Sequence, residues 1–353
     1  MLVAMASIPA VGCFGTGARS IRTGRGNYNV AIQQTNAQQL LLNVVRLRYM
    51  DTPAFLNVSS VSTSLTLAVD AGGGVAELEN LGVVGISGGL SYAERPTITY
   101  SPLQGQQFVS LLMSPMSLRV PLLLYHSGWR IDRVLRVCLQ SIGELRNAPS
   151  GASPTPALAP EYKRFARVAE ILRDLQSRGF IELGQAGAEE DSLVLQIDTL
   201  ALERSGDRLL ADELADELDV PRGTQRITLA RGATDASDAL AVVTRSVMGT
   251  MYFLSLGVEP PLRDQQAGRV VVTHDKDGKV FDWGPVTKDL LKIRSSEDRP
   301  NDAYTGVSYR DSWFFIEDDD IHAKSTFTLL AQLMVLQAGD VELKTPVLTL
   351  PLR

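Results

Sequence analysis

Histidine and cysteine are scarce in this chain. Its 353 residues include three histidines, His126, His274 and His322, and two cysteines, Cys13 and Cys138. Histidines so far apart cannot supply a short histidine-rich metal motif, and two cysteines cannot build a disulfide scaffold. The spacings that usually carry chemistry are also missing: there is no G-x-G-x-x-G after a strand, no Walker loop, no H-E-x-x-H, no G-x-S-x-G and no C-x-x-C. Basic residues are outnumbered, with 34 Lys and Arg against 40 Asp and Glu, and the net charge of -6 argues against a nucleic-acid surface. Apolar material, in contrast, is ample. A chain that is 44% hydrophobic and 21% charged is neither disordered nor fibrous. At ~100 to 200 residues per domain, its length suggests two domains, each able to bury a core.

Met1 to Gly12 is an uncharged apolar run ending in small residues, which reads as a signal peptide over 1–12. Ala10, Val11, Gly12 and Cys13 resemble the lipobox of bacterial lipoproteins. That resemblance implies a diacylglycerol on the Cys13 sulfur, with palmitate-type acyl chains, and Cys13 as the mature N-terminus. The chain's partner would then be a membrane, reached through this lipid anchor. Ala10 stands where the family usually has Leu, and an upstream start codon would supply the basic residues that normally precede the apolar run. Phe14 follows the cysteine, and by the sorting rule of enteric lipoproteins a residue other than Asp there points to the outer membrane, facing the periplasm. The other reading of 1–12 is a buried strand or a disordered terminus. A spanning helix needs ~20 apolar residues, and Gly15, Thr16, Gly17, Arg19 and Arg22 come too soon for one. Residues 13–26, rich in Gly, Ser, Thr and Arg, read as a flexible tether.

The remaining pattern predicts an α+β protein of two mixed modules with antiparallel hairpins: an N-terminal domain over 27–147, a Pro/Ala/Ser linker over 148–160, and a C-terminal domain over 161–353. A helix is expected from Asn27 to about Met50, closed by Arg46 and Arg48 where cations suit the dipole. Its other face, Gln33, Gln34, Asn36, Gln38, Gln39 and Asn43, is polar but uncharged, which suits solvated surface or packing against copies of itself. From Leu56 to Tyr100 apolar residues alternate with Ser, Thr and Gly, the period-two texture of a long β-hairpin. Such a hairpin either lays one face on a core or joins a membrane barrel, where a spanning strand takes ~9 to 11 residues. Lipobox, tether and Ser/Gly/Thr-rich hairpin together resemble the organisation of ring-forming secretion lipoproteins such as the curli export channel.

Further along, proline-primed helices are expected at Pro102 and Pro115. A helix from Trp129 to about Leu145 carries Cys138 on its apolar stripe, as a buried thiol. Past the linker, a helix at 162–176 and strands at 180–183 and 193–199 are weakly similar to a winged helix, but the acidic run over 188–220 would repel DNA. A strand at 226–230, a long helix at 237–256, hairpins 270–273/279–283 and 304–309/312–316, a helix at 325–337 and a final edge strand at 346–351 complete the expectation.

Candidate chemistry is thin. Asp275, Lys276, Asp277 and Gly278 resemble half a calcium loop, and a plain hairpin turn fits the same residues. Glu317 to Asp320 with His322 could bind a cation or do acid and base work through Asp318, Asp320 and His322, or could cap the helix that follows. Tyr309 and Arg310 form a further polar pair. No catalytic residue and no cofactor is expected. These features fit an envelope lipoprotein acting as a structural or assembly subunit, with a homo-oligomeric ring as one form, associating with itself or with other envelope proteins and not with nucleic acid. The alternatives are a periplasmic hydrolase or cation-binding enzyme using 317–322, and a pore subunit lending a β-hairpin to a shared barrel.

Overall fold

The computed structural model describes residues 16–73, 86–102, 108–148, 159–186, 191–232 and 239–339. The chain is α+β, as its sequence implies, with a six-stranded mixed sheet and a three-stranded antiparallel sheet among its helices. It forms two compact units. The larger takes the described residues up to Pro53 and from Leu112 to Gln337, and the smaller centres on Ala54–Leu111.

The chain does not divide at the expected linker. Of 148–160, residues 149–158 lie outside the described residues, but the strands on either side share one sheet. β3 (Leu139–Ile142) and β4 (Leu145–Arg146) precede the linker, while β5 (Ile181–Gln185), β6 (Ser192–Ile197), β7 (Arg226–Arg231) and β8 (Ala239–Thr244) follow it. Their order is β4-β3-β8-β7-β6-β5, so β8 returns to pair with β3 and closes the two halves into one body. Composition marks an irregular stretch of chain, but where the strands beyond it will pair is a long-range matter.

The expected tether is also different. Residues 13–15 lie outside the described residues, and from Thr16 the backbone is already helical, continuing to Arg48 as helix α1. Helix extension adds one hydrogen bond per residue fixed and is far cheaper than nucleation, so a firmly held C-terminal end can carry a weak N-terminal sequence. That end is well held: Leu41, Val44 and Val45 are fully buried and Leu47 nearly so. At ~1.5 to 3 kcal/mol per buried Leu or Val, these four side chains contribute several kcal/mol.

The six-stranded sheet is covered by α2 (Arg119–His126), α3 (Ile131–Cys138) and α4 (Lys163–Ser177). Alternate strand residues Leu193, Leu195, Ile227, Leu229 and Val242 share one apolar interior with Val134, Leu135, Val168 and Leu172 from the helices. α3 is shorter than expected. Ile142 and Leu145 belong to a hairpin turned by Gly143 at φ 54°, so the stripe continues as strand rather than helix. The long helix expected at 237–256 likewise begins as strand β8. Val242, Val243 and Thr244 favour the pleated backbone, and Ser246 then caps the helix proper, Val247–Ser255, accepting from the Gly249 N–H at 3.0 Å. The proline-primed helix expected at Pro102 is absent at that point, because Pro102 is the last residue of a strand; 103–107 lie outside the described residues, and Val109–Met113 is a π-helical turn.

The three-stranded sheet is β10-β11-β9, made of Ala303–Tyr309, Ser312–Glu317 and Arg294–Ser296, followed by a helix over Ile321–Gly339. The expected hairpin at 304–316 is present. Its two-residue turn puts Arg310 at φ 49° and Asp311 at φ 59°, the double left-handed pattern of a type I′ turn. The final strand expected at 346–351 lies outside the described residues.

Candidate functional surfaces

The last turn of α1 is locked to the body by aromatic and acidic groups. The Tyr49 hydroxyl donates to Asp264 Oδ2 at 2.6 Å, and Asp264, with no exposed surface, is paired to Arg269 at 2.7 Å. Burial works against ionising Asp264, but the Tyr49 hydroxyl and the Arg269 guanidinium outweigh it and hold the carboxyl below the usual range. Beside it, Asp51 accepts from the Tyr309 hydroxyl and pairs with Arg310 at 2.8 Å, and Arg310 lies over the Tyr49 ring with 5.2 Å to the centroid. Tyr309 and Arg310 thus clamp the helix exit. Arg46 and Arg48 stand in the last turn of α1, as expected, and Arg48 has a further role. It is buried and donates to the Val271 carbonyl at 3.0 Å.

Over 29–38, above this anchor, α1 is little covered. From Asn29 to Gln38 its residues are exposed or half-exposed, and not one is charged. A stretch of helix without charges or a covered face has little to hold it in water except its continuation into the body.

In the smaller unit, β1 (Leu56–Gly73) and β2 (Ile86–Pro102) form an antiparallel ribbon with no third strand among the described residues. At ~3.3 Å per residue it is about 60 Å long. Pairing runs from Leu56↔Pro102 to Gly73↔Ile86, with one irregularity between Val58 and Ser60. Period two then sorts the positions: Val61, Leu65, Leu67 and Val69 share one face with Ile98, Glu94, Tyr92 and Leu90, while Ser60, Ser62, Ser64 and Thr66 share the other with Thr99, Thr97, Arg95 and Ala93. Glu94, opposite Leu65, and Thr63, opposite Pro96, interrupt the apolar set.

Cys13 and the signal segment 1–12 lie outside the described residues. Cys138 is a free, buried thiol at the end of α3, and burial pushes it up to about 12. The acidic corner disperses. Asp318 pairs with Lys324 at 2.7 Å, Asp320 accepts from the Ala323 N–H at 2.9 Å as a helix cap, and His322 Nδ1 lies 3.2 Å from Arg133. Asp275 Oδ1 is spent on the backbone N–H groups of Asp277 and Lys279, both at 2.9 Å. That is turn chemistry, and the hairpin around it shrinks to a single His274↔Val280 bridge.

Sequence reasoning missed the Tyr49–Asp264–Arg269 lock, in which Tyr49 lies 215 residues from Asp264. Only the clustering of Tyr49 and Asp51 at a helix end hinted at it. Among the described residues no helix is long and apolar enough to cross a membrane. No family model, no curated protein and no solved structure matches the chain.

Proposed function

We propose that the protein is a membrane-anchored envelope lipoprotein, fixed through Cys13 to the outer membrane on its periplasmic side, that serves as a structural subunit and assembles with copies of itself into a ring. The observation that carries this reading is the β1–β2 ribbon, with two long edges unpaired among the described residues. A lone two-stranded ribbon is marginal in water, and a free edge is a template for another strand. Identical ribbons on neighbouring copies would satisfy both edges, since head-to-tail contacts of this kind close into rings. The little-covered, uncharged stretch of α1 supports the same reading, as a helix that gains a covered face on assembly. The test is mass and imaging of the detergent-extracted protein, with and without residues 56–102. Rings from the full chain and monomers from the shortened one are expected. A full chain that stays monomeric at high concentration and captures no envelope protein would sink the proposal.

A second reading, a pore subunit, is favoured by one observation: the register separates an apolar set from a Ser/Thr set over Val61–Val69 and Leu90–Ile98, about one bilayer span. Glu94 counts against lipid on that face. Dye release from liposomes with and without 56–102 decides it, and equal behaviour removes the pore. As for a hydrolase or cation-binding enzyme, Asp318, Asp320 and His322 are each directed to a separate partner, namely Lys324, the Ala323 N–H and Arg133.

A further inference from the structure

The larger unit holds a cavity of about 670 Å³, within the ~300 to 1,000 Å³ typical of small-molecule sites. Part of its lining is apolar, from Val258, Val280, Phe281 and Trp283, and Arg48 contributes to it from the end of α1. Arg48 differs from the other arginines set into this body. Arg245 donates to the carbonyls of Arg136, Leu139 and Asn147, and Arg136 to those of Val286 and Lys288. Arg133 reaches Ser325, His322 and the Asp289 carbonyl. Arg48, only 6% exposed, has the single Val271 carbonyl and no ion pair among the described residues. Its Nε and the Trp283 indole N–H are both buried without an acceptor among the described residues. Burial lowers Arg48 to about 10, so it remains a cation at neutral pH.

Among the described residues, none of the acids around the cavity is ion-paired or hydrogen-bonded to Arg48. Glu259 pairs with Lys292 at 3.1 Å, Asp282 accepts from the Gly284 N–H at 2.8 Å, Asp320 caps its helix, and Asp289 lies 3.8 Å from His322. An uncompensated buried charge costs several kcal/mol, and an anion entering the cavity would offset it. The guanidinium shares its charge over three nitrogens and matches a carboxylate in shape.

We propose that this cavity binds a small organic carboxylate, its head against the Arg48 guanidinium and its aromatic or aliphatic body against Phe281, Trp283 and Val280. The site stands apart from the assembly reading and does not depend on it. The test uses the full chain with three probes: phenylacetate, the neutral phenylacetamide and inorganic phosphate. Titration followed by ligand-observed NMR should give saturable phenylacetate binding with a Kd of ~1 mM or tighter, and at least tenfold weaker binding of the other two. Arg48→Gln should abolish it. Should that variant fail to fold, Val280→Asp decides, because it puts a like charge in the lining at a position 66% exposed. It should weaken phenylacetate at least tenfold without moving Tm. No saturable binding by the wild type, equal binding of the amide, or unchanged affinity in Val280→Asp overturns the assignment.

Discussion

Gly257→Ala should unfold the larger unit more readily than its one added methyl suggests. A Cβ at Gly257 would lie 1.9 Å from the Leu291 carbonyl oxygen and 3.0 Å from its carbon, whereas ordinary contact begins at 3.4 Å. The obstacle is backbone, so it cannot swing aside. Making room means opening the 257–259 segment from 291–293 by about 1.5 Å, the difference between those two oxygen contacts. Two hydrogen bonds hold those segments, from the Ile293 N–H to the Gly257 carbonyl and from the Glu259 N–H to the Ile293 carbonyl, both at 2.9 Å. Losing them costs ~1 kcal/mol each. Val258, Leu291 and Ile293 are buried alongside, and forcing such a packed region apart adds ~1 to 3 kcal/mol. The expected loss is therefore ~3 to 5 kcal/mol. Gly249→Ala is the internal control. There the nearest atom to a new Cβ is Ser246 Oγ at 3.4 Å, and within a helix Ala is favoured over Gly by up to ~1 kcal/mol, so this variant should gain stability. Urea unfolding followed by tryptophan fluorescence measures both. Trp129, Trp283 and Trp313 all lie in the larger unit, so the signal reports on that unit alone. A Gly257→Ala protein within ~1 kcal/mol of wild type at unchanged m would refute the steric account, as would a Gly249→Ala protein that loses as much.

Asp264→Asn should lower stability at neutral pH by ~1.5 to 3 kcal/mol, the worth of a charge-assisted hydrogen bond. Because the folded Asp264 carboxyl titrates below its unfolded value, its contribution is complete above the ordinary carboxylate range and is lost as pH falls through the folded pKa. Wild-type and variant curves of stability against pH should converge on acidification, and parallel curves would show that Asp264 is not the titrating group. Asp311→Gly should raise stability by ~0.5 to 1 kcal/mol, since Asp311 sits at φ 59° where glycine is unstrained; a fall in thermal midpoint would contradict this. In a Cys13→Ser protein, Cys138 should react with a thiol reagent at pH 8 only as fast as the chain opens, because burial holds it protonated. Stoichiometric labelling within seconds of mixing would disprove that.

Local signals carried far in this sequence. The 163–177 helix, the 303–317 hairpin and the capping role of Asp320 were legible because each is set by residues within a turn or two of one another. The long ribbon was legible for the same reason, as period two over a dozen residues has few other solutions. Long-range pairing defeated the reading at 148–160, where a Pro- and Ala-rich stretch looks the same whether it joins two domains or two strands of one sheet. Residues 239–256 failed through a competition of periods: an apolar run of this length suits a helix or a buried strand, and the cap at Ser246 that separates the two is a single residue. Tyr309 and Arg310 stand out as a polar pair, but their partner Asp51 lies 258 residues from Tyr309 and no local pattern joins them.

The charged residues deceived most, and the reason is physical. Between Gly257 and Pro300 the chain has only short elements, so many backbone carbonyls have no ladder to join, and a buried carbonyl without a donor is costly. Arg136 and Arg133 reach from α3 to the carbonyls of 286, 288 and 289, Arg48 reaches from α1 to that of Val271, and Arg245 closes those of 136, 139 and 147 nearby. A guanidinium offers five donors on a long stem, which suits it to satisfying irregular backbone at a distance where an ammonium would serve fewer acceptors. Read along the sequence, these arginines are positive charges that call for acidic partners or a polyanion. In the fold they are donors to carbonyls, and among the described residues none of the four is ion-paired to a carboxylate. Arg245 shows how complete the substitution is: with three carbonyls and the Phe253 ring 4.1 Å away it holds its charge inside the core, lowered by burial to about 9. Arg48 has the same burial with a third of the acceptors, and it lines the cavity of about 670 Å³. Of these four arginines, Arg48 is thus the one whose backbone partners leave most of its charge for something else to meet.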